Sequence, residues 1–588
     1  MTTALSAFDL YRAGDFDGAL RSARVALVDN GENPGLRHLI GVLLCRAGQL
    51  VDGAAELEKA VALAPHDIGA RVMLVRALID LKRPGEALTQ AKRPAPGQHA
   101  PMLWRIRAEA AQAAAALPEL IEALRQLIAL EPEDWGAWGN LAVALRGAGD
   151  LDGALEAIGS ARRHHPDRVE LTVEQARLLA AAQRFDEAEE RYRQILEASP
   201  GEIEAVRELG LLLERTNRLD ELGALIAEAE RAAVSSEQLA YLRARAAWRE
   251  KRGAEALEWL EQAGESDDPV RAGQLAARLH DSLGNPAAAF AAAERMNRAV
   301  PDHDAWRARG AEHRARLRRL AELVTPEWTA GWPDVAPGRR PAPAFLVGFP
   351  RSGTTLLDTF LMGHPDVAVI EEEPFFDEVA AQLGSFERLA EAGQDEIDRL
   401  RQTYFAAMDR YVPPGFGGLV IDKLPLNLLG APLIHRLFPD ARFIFAQRHP
   451  CDSVLSGYMQ GFELNPGMAS FLEIEDTAEL YDVALEIWTR TCAALPLNVH
   501  RFVYEKMLED PDAALRKLIA FLGLEWREEL LDHRATARGR GVISTPSYDQ
   551  VTEAVHQRSS GRWRRYEAQM QPALPILLPW ARRLGYAD

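Results

Sequence analysis

Cysteine is scarce in this sequence, and long apolar runs are missing. The 588 residues include three cysteines, Cys45, Cys451 and Cys492, which fit no metal-ligand spacing and cannot form a disulfide framework. A reducing compartment is the simplest interpretation, so we expect a cytoplasmic protein. The N-terminus lacks the basic and apolar segments of a signal peptide, and no apolar run reaches the roughly 18 residues that span a bilayer. We therefore expect no membrane partner.

Basic charge is also in deficit. The net charge of −19 argues against a general nucleic-acid binder, which would present a basic face. An anionic ligand would then need a local basic pocket. With 47% hydrophobic and 26% charged residues, the composition is that of a soluble globular protein, and the length predicts two or more domains.

The first half of the chain consists of repeated amphipathic helices. Pro132, Pro166 and Pro200 each close a helical segment and lie 34 residues apart. Ala87, Ala154 and Ala188 share one register within these segments. This pattern resembles the tetratricopeptide repeat family, whose consensus has a small residue where paired helices touch and a proline after the second helix. We predict an all-α repeat superhelix over residues 1–320.

The function of a repeat array is open from the sequence. Stacked repeats form a concave groove that commonly binds an extended peptide or another protein, but a rigid spacer without a ligand is also possible. Residues 321–343 are rich in proline, glycine and tryptophan and read as a linker, in which Trp328 and Trp332 are packing residues. Residues 344–588 form the predicted second domain.

This second domain opens with the stretch around which the chain is organised. An apolar strand, Phe345–Val347, leads into a turn from Gly348 to Thr355, and leucines follow at helical spacing. Strand, glycine-containing turn and helix form a phosphate cradle, because free N–H groups and the helix dipole face the ligand. The spacing is nearly that of a nucleotide-binding P-loop, but Thr354 stands where the lysine belongs, and Arg351 lies inside the loop. ATP or GTP hydrolysis is therefore disfavoured.

Strand-like runs alternate with helices after this loop, which predicts a parallel sheet covered by helices. The predicted strands are Phe345–Val347, Val367–Ile370, Gly418–Ile421, Arg442–Gln447 and Asn498–Tyr504. Ligands bind at the carboxyl ends of such strands. Four groups of residues lie there or near the C-terminus: Glu371 to Pro374, Lys423, the pair Arg448 and Ser456, and the basic run Gln557 to Tyr566.

Each group has an ordinary interpretation as a solvated surface segment. Taken together, they resemble the sulfotransferase superfamily, which uses 3′-phosphoadenosine 5′-phosphosulfate (PAPS). The resemblance is greatest to the protein-tyrosine sulfotransferases and to bacterial sulfotransferases with tetratricopeptide repeats, and it covers about Ala344 to Tyr586. It implies an α/β P-loop-like domain with a central parallel sheet, and it implies no metal.

The resemblance also implies roles for individual residues. The 5′-phosphosulfate loop falls on Arg351, Ser352, Gly353, Thr354 and Thr355. The 3′-phosphate residues fall on Arg448 and Ser456, the catalytic lysine on Lys423, and further nucleotide contacts on Tyr504 and Ser547. Arg562 stands where these relatives have a lysine before tryptophan. Because arginine keeps its proton, Arg562 is expected to be a phosphate clamp only.

The general base implied by the resemblance is Glu372, the second glutamate of a pair. Glu371 or Glu373 takes the role if the register is off by one, and His364 is a rival because some sulfotransferases use histidine. The sequence departs from the family after this pair, where Glu373-Pro374 replaces threonine-arginine. This change leaves the acceptor open between a peptide tyrosine, a glycan hydroxyl and a small metabolite.

The function expected from the sequence is transfer of a sulfuryl group from PAPS, which becomes PAP, to an acceptor hydroxyl. The acceptor could be a peptide or protein held by the repeats. Two alternatives stay open: a protein-binding scaffold with an inactive nucleotide-binding domain, and a kinase or other NTPase.

Overall fold

The computed structural model of this chain describes residues 2–29, 31–93, 101–263, 268–539 and 559–587. They form two compact units. The first comprises Met1–Leu213 and Glu221–Val234, and the second comprises Glu214–Asp220 and Ser235–Asp588. The domain boundaries predicted at residues 320 and 343 stay predictions.

The first unit is built from helices, as predicted. They are α1 (Thr2–Arg12), α2 (Phe16–Asp29), α3 (Pro34–Arg46), α4 (Leu50–Leu63), α5 (Ile68–Asp80), α6 (Pro84–Ala91), α7 (Pro101–Ala113), α8 (Leu117–Leu130), α9 (Trp135–Gly147), α10 (Leu151–His164), α11 (Val169–Ala181), α12 (Phe185–Ala198), α13 (Ile203–Arg215) and α14 (Leu219–Arg231).

Small residues lie where consecutive helices of this unit touch. Ala87, Ala154 and Ala188 have no solvent exposure, in agreement with the repeat pattern. Aspartates begin several helices: the Asp134 carboxylate accepts the N–H of Ala137 at 3.0 Å and so satisfies one donor of the first turn. The repeating helix starts therefore follow from side-chain capping as well as from apolar periodicity.

The second unit begins with further helices and continues into an α/β part. The helices before the sheet are α15 (Ser236–Arg249), α16 (Gly253–Gln262), α17 (Pro269–Ser282), α18 (Pro286–Arg298), α19 (His303–Leu323) and α20 (Pro326–Ala330). Trp328 and Trp332, which follow α19, pack edge to face at 5.0 Å and lie against the core of the unit, as expected of packing residues.

The α/β part alternates strands and helices as the sequence predicts. Its elements are β1 (Ala344–Gly348), α21 (Thr354–Leu361), β2 (Val367–Glu371), α22 (Phe375–Leu383), α23 (Gln394–Met408), β3 (Leu419–Lys423), α24 (Ala431–Leu437), β4 (Arg442–Gln447), α25 (Pro450–Tyr458), α26 (Ile474–Ala494), β5 (Asn498–Val503), α27 (Tyr504–Glu509), α28 (Pro511–Leu522), α29 (His533–Gly539), α30 (Glu567–Met570) and α31 (Leu574–Arg583). Short 3₁₀ helices span Phe386–Ala390, Pro425–Gly430, Met468–Leu472, Glu528–Leu531 and Arg562–Tyr566.

The five strands form one parallel sheet in the order β2-β3-β1-β4-β5, so the predicted fold is confirmed. Six strand ends differ from prediction by one or two residues, and two of these differences involve predicted site residues. β3 runs on to Lys423, and Tyr504 begins α27 instead of ending β5. Because β1 is central, the loop after it lies between those that follow β3 and β4.

Strand β1 is buried along its whole length. Phe345 and Val347 pack into a core on one face of the sheet, and Ala344 and Leu346 pack into a second core on the other. The central strand is therefore covered by helices on both sides, which explains its continuous apolar run.

Gly348, at the end of β1, is predicted to be essential for packing as well as for the loop. A Cβ atom at this position would lie 2.5 Å from the Ala446 carbonyl oxygen in β4. We expect Gly348→Ala to cost about 1–3 kcal/mol, the usual range for overpacking, and to lower the thermal unfolding midpoint. Gly430→Ala is the matched control, because no heavy atom lies within 4 Å of its Cβ position. Equal midpoints for the two variants would contradict this account of the sheet.

Candidate active site

The candidate site lies at the carboxyl ends of β1, β2, β3 and β4. The loop from Phe349 to Gly353 joins β1 to α21. Two of its residues have left-handed backbone conformations: Arg351 has a φ of 68° and Gly353 a φ of 88°. A side chain at position 353 would also collide with the Tyr504 ring, since its Cβ would lie 2.3 Å from Tyr504 Cδ2. Tyr504 is thereby placed directly on the loop.

Helix α21 begins immediately after this turn with buried Thr354 and Thr355. No side chain caps its start at Gly353. The N–H groups of a first helical turn have no partner within the helix, and the dipole there is positive. The helix start therefore has the donors and the field that suit a phosphate or sulfate group.

Two arginines lie close together here: Arg351 in the loop itself and Arg448 after β4. Arg351 Nε donates to Ser456 Oγ at 3.2 Å, so the two phosphate sites predicted from the sequence meet. Arg448 donates from Nη1 to the Arg351 carbonyl at 2.8 Å and from Nη2 to the Ser559 carbonyl at 2.6 Å. Its guanidinium lies over the Tyr504 ring, 5.0 Å from the ring centre. The Arg448 Nε atom is buried and has no hydrogen-bond partner among the described residues.

The concentration of positive charge affects the pKa of one of these arginines. Burial, followed by the charges of Arg278, Arg448 and Arg562, lowers the pKa of Arg351 to about 9. Guanidinium groups repel one another at this density, and a bound anion would relieve the repulsion. A buried donor without a partner among the described residues, a glycine-dependent close approach and converging guanidiniums together fit a phosphate-bearing ligand.

A second cluster, of opposite composition, lies beside the first. Lys423 has no solvent exposure, and its Nζ lies 2.8 Å from Glu372 Oε1, 3.2 Å from Asp358 Oδ2 and 3.4 Å from Glu371 Oε1. Burial alone lowers the pKa of Lys423, but the three carboxylates outweigh burial and raise it. The lysine is therefore held firmly in its charged form.

Sheet register brings this cluster together. Glu371, the last residue of β2, pairs with Lys423, the last residue of β3. The Glu372 N–H donates to the Lys423 carbonyl at 2.7 Å, and Glu372 has a φ of 56°. Of the described non-glycine residues from 344 onward, only Arg351 and Glu372 have positive φ. Such conformations cost about 1–3 kcal/mol and concentrate at functional sites.

The C-terminal basic segment is anchored next to the arginines. Asp452, near the start of α25, accepts the backbone N–H of Gly561 at 2.7 Å and that of Trp563 at 2.8 Å. These bonds hold Arg562, whose charge contributes to the lowered pKa of Arg351. Arg562 therefore lies near Arg351, and its role as a phosphate clamp stays a prediction.

The rival bases have other contacts. His364 is buried, and its Nε2 is bonded to the Glu525 carbonyl at 2.9 Å while Nδ1 accepts the Asp366 N–H at 3.1 Å. Glu373 contacts Tyr411, whose pKa is raised to about 12 by burial and then by this carboxylate. Among the glutamates, Glu372 has the shortest contact with Lys423 and a side chain that is 42% exposed.

The structure thus brings together most of the residues predicted for the site. Ser547 lies outside the described residues, and its assignment stays a prediction. Sequence reasoning missed Asp358 and Asp452. Asp358 is a charged residue in the otherwise apolar face of α21, beside Leu357 and Phe360, and that contrast was the available signal.

The described residues offer neither a metal site nor a membrane span. Within the described ranges, no group of three or more His, Cys, Asp or Glu side chains could hold a metal ion. In the same part of the chain, none of the helices has both the length and the apolarity that a membrane crossing requires.

Comparison with protein families divides the chain in the same way as its sequence pattern. Residues 343–528 match the model of the sulfotransferase family, and residues 7–68, 105–168 and 173–235 match that of the tetratricopeptide repeat. The chain therefore carries a sulfotransferase-family domain behind N-terminal tetratricopeptide repeats.

Individual relatives are similar to part of the chain. An uncharacterized protein of Aquifex aeolicus is 29% identical over 294 residues, which cover 46% of this chain and 36% of the relative. Protein-tyrosine sulfotransferase 2 of Gallus gallus is 27% identical, with 41% of this chain and 68% of the relative covered. Heparan sulfate glucosamine 3-O-sulfotransferase 6 of Homo sapiens is 31% identical, with 32% and 54% covered.

Among solved structures, one sulfotransferase domain aligns with part of the chain. The sulfotransferase domain of the olefin synthase from Synechococcus PCC 7002 aligns with a TM-score of 0.30 and 18% identity, over 42% of this chain and 98% of that domain.

Asp422, which precedes Lys423 in β3, makes the stability of the folded protein depend on pH. Burial raises the pKa of Asp422 to about 7, although a hydrogen bond from the Tyr404 hydroxyl at 2.8 Å opposes the shift. The folded protein then holds this proton more tightly than the unfolded chain, so stability falls as the pH rises from about 4 through about 7. We expect Asp422→Asn to remove this part of the decline.

Thermal unfolding midpoints at several pH values test this expectation. The midpoint of the Asp422→Asn variant should gain on that of the unmodified protein between pH 4 and pH 7. Asp366→Asn, at an exposed turn, is the control. A midpoint difference for Asp422→Asn that does not change with pH would contradict the assignment.

Proposed function

We propose that this chain is a PAPS-dependent sulfotransferase, which transfers a sulfuryl group from PAPS to an acceptor hydroxyl and releases PAP. The observation that carries the proposal is the adjacency of two clusters of opposite character. Arginines gather around the β1–α21 loop, and carboxylates gather around Lys423 at the end of the neighbouring strand β3. The first cluster suits the donor, and the second suits the acceptor hydroxyl.

The donor would be held by side chains of several elements. Arg448 and Ser456 suit its 3′-phosphate, because a guanidinium makes charge-assisted hydrogen bonds to a doubly charged group and the serine hydroxyl adds a further donor. Tyr504 stacks against the loop and supports Arg448. The remaining donor-binding residues of the proposal are Arg351, Ser352, Gly353, Thr354, Thr355, Ser547 and Arg562.

The reaction needs positioning and charge stabilisation. PAPS supplies an activated sulfuryl group, and its sulfur–oxygen bond to the 5′-phosphate breaks as the acceptor oxygen bonds to sulfur. Glu372 accepts the proton of the acceptor hydroxyl. Lys423 and Arg351 stabilise the negative charge that develops on the leaving phosphate.

Glu372 is favoured as the base by its surroundings. Its carboxylate is exposed on one side and contacts Lys423 Nζ at 2.8 Å on the other. Glu371 is only 16% exposed, and both ring nitrogens of His364 are engaged with backbone groups. A base must reach the acceptor, so exposure decides between these carboxylates.

We propose a protein or peptide as the acceptor. Relatives are named protein-tyrosine sulfotransferases, and tetratricopeptide repeats commonly bind peptides. A glycan is the alternative, because another relative is named a heparan sulfate sulfotransferase. Incubation of cell extract with the protein and labelled PAPS, followed by mass spectrometry, separates the two. A cytoplasmic location also remains part of the proposal.

Calorimetry with PAP, PAPS and ATP tests the donor. We expect PAP and PAPS to bind at least tenfold more tightly than ATP, because in this proposal Arg448 and Ser456 contact a 3′-phosphate that ATP lacks. 5′-AMP is a matched control that differs from PAP only in that phosphate. Tight ATP binding without PAP binding would contradict the proposed function.

Glu372→Gln tests the base. We expect this variant to keep PAP affinity and to lose transfer to extract acceptors by about 10²–10⁴-fold, the usual contribution of a general base. Glu371→Gln and Glu373→Gln are the matched controls, because each removes one carboxylate charge at a neighbouring position. Full activity of Glu372→Gln would remove Glu372 from the role, and PAP binding without transfer by the unmodified protein would favour a binding scaffold.

A further inference from the structure

Helix α17 lies outside residues 343–528 that match the sulfotransferase family, yet it belongs to the same compact unit as the candidate site. Ala277 of this helix joins the hydrophobic core that also contains Phe345 of the central strand. Its side chains Val270 and Gln274 lie next to Gly461, just beyond α25. One face of α17 therefore packs directly on the α/β part.

Asp281 of α17 holds the basic C-terminal segment. Its Oδ2 lies 3.1 Å from Arg562 Nε, and its Oδ1 lies 3.0 Å from Arg565 Nη2. The Tyr566 hydroxyl also donates to Oδ1 at 2.6 Å. These three contacts connect α17 to the segment that Asp452 also anchors.

Arg278 lies one helical turn before Asp281 and therefore on the same face of α17. Its Nη2 lies 3.3 Å from Oε1 of Gln460, a residue that is only 6% exposed. Gln460 follows Ser456 by four residues, and Ser456 is the partner of Arg351. Among the charged residues that lower the pKa of Arg351, Arg278 has the largest effect.

Four guanidinium groups from separate parts of the chain thus converge: Arg278 of α17, Arg351 of the loop after β1, Arg448 after β4 and Arg562 of the C-terminal segment. Three of them have the phosphate roles proposed above. A cluster of this kind is costly without a counter-charge and becomes favourable when a multiply charged anion binds.

We propose that Arg278 is a donor-binding residue, which the helical part of the chain contributes to the phosphate pocket of the sulfotransferase domain. The proposal rests on the proposed function. Arg278 would contact the phosphate groups of PAPS and PAP from the side of α25, with Gln460 orienting its guanidinium. Asp281 keeps the adjacent Arg562 in place.

Titration of the full-length protein with PAP tests the proposal. We expect Arg278→Gln to weaken PAP binding by about tenfold or more, which corresponds to about 1.4 kcal/mol. Arg278→Lys should recover part of the affinity, because it keeps the charge without the planar fork. Arg271→Gln is the matched control: Arg271 lies on the same helix, is exposed and pairs with Asp268.

The salt dependence of PAP binding separates direct contact from a structural effect. Loss of a charge that contacts phosphate should reduce the dependence of affinity on salt in Arg278→Gln, whereas a packing defect would leave it unchanged. Equal PAP affinity of the Arg278→Gln and Arg271→Gln variants, or an unchanged salt dependence, would overturn the proposal. Absence of PAP binding by the unmodified protein would instead overturn the proposed function.

Discussion

A lysine ammonium with no solvent exposure is stable only among carboxylates, and Lys423 has three of them within 3.4 Å. Each carboxylate comes from a different place: Asp358 from α21, Glu371 from the end of β2 and Glu372 from the turn that follows. Loss of one partner from a buried ion pair typically costs about 3–5 kcal/mol. The cluster therefore constrains the ends of β2 and β3 and the helix that follows the phosphate loop, and the rest of the site depends on that constraint.

The pocket next to it has the opposite imbalance. Guanidiniums gather around Arg351, and although Asp281 pairs with Arg562, burial and the neighbouring positive charges lower the pKa of Arg351. Arg351 and Glu372, which stand at the two clusters, both have left-handed backbone conformations that a non-glycine side chain disfavours. The strain is tolerated because a hydrogen bond fixes the backbone at each of these residues. The Glu372 N–H donates to the Lys423 carbonyl at 2.7 Å, and the Arg351 carbonyl accepts a hydrogen bond from Arg448. Selection for stability alone would not favour left-handed conformations at Arg351 and Glu372.

Much of this arrangement could be predicted from the sequence, and the exceptions have physical causes. The strands were predictable because apolar runs buried on both faces are distinctive, and the loop was predictable because its glycines and hydroxyls are adjacent in the chain. Asp358 has one local signal, its charge in an otherwise apolar helix face, and Arg278 has none. The role of each depends on which distant segment packs there. The meeting of Arg351 and Ser456 likewise depends on strand order, which places β4 beside β1. The apolar residues before Tyr504 predict that the strand includes it, and they give no sign that a helix begins there.

The packing of the second unit also bears on where the sulfotransferase part begins. The match to the family starts at residue 343, but the compact unit starts near Ser235. Ala292 of α18 and Leu317 of α19 are buried in the same core as Phe345, and the Arg314 guanidinium of α19 is buried with Asp476 of α26 at 2.6 Å. Separation at residue 343 would expose these apolar groups and leave Asp476 without its nearest cation. The helices from α17 to α19 therefore belong structurally to the same unit as the α/β part. In the proposal above, these helices and the α/β part together line the anion pocket.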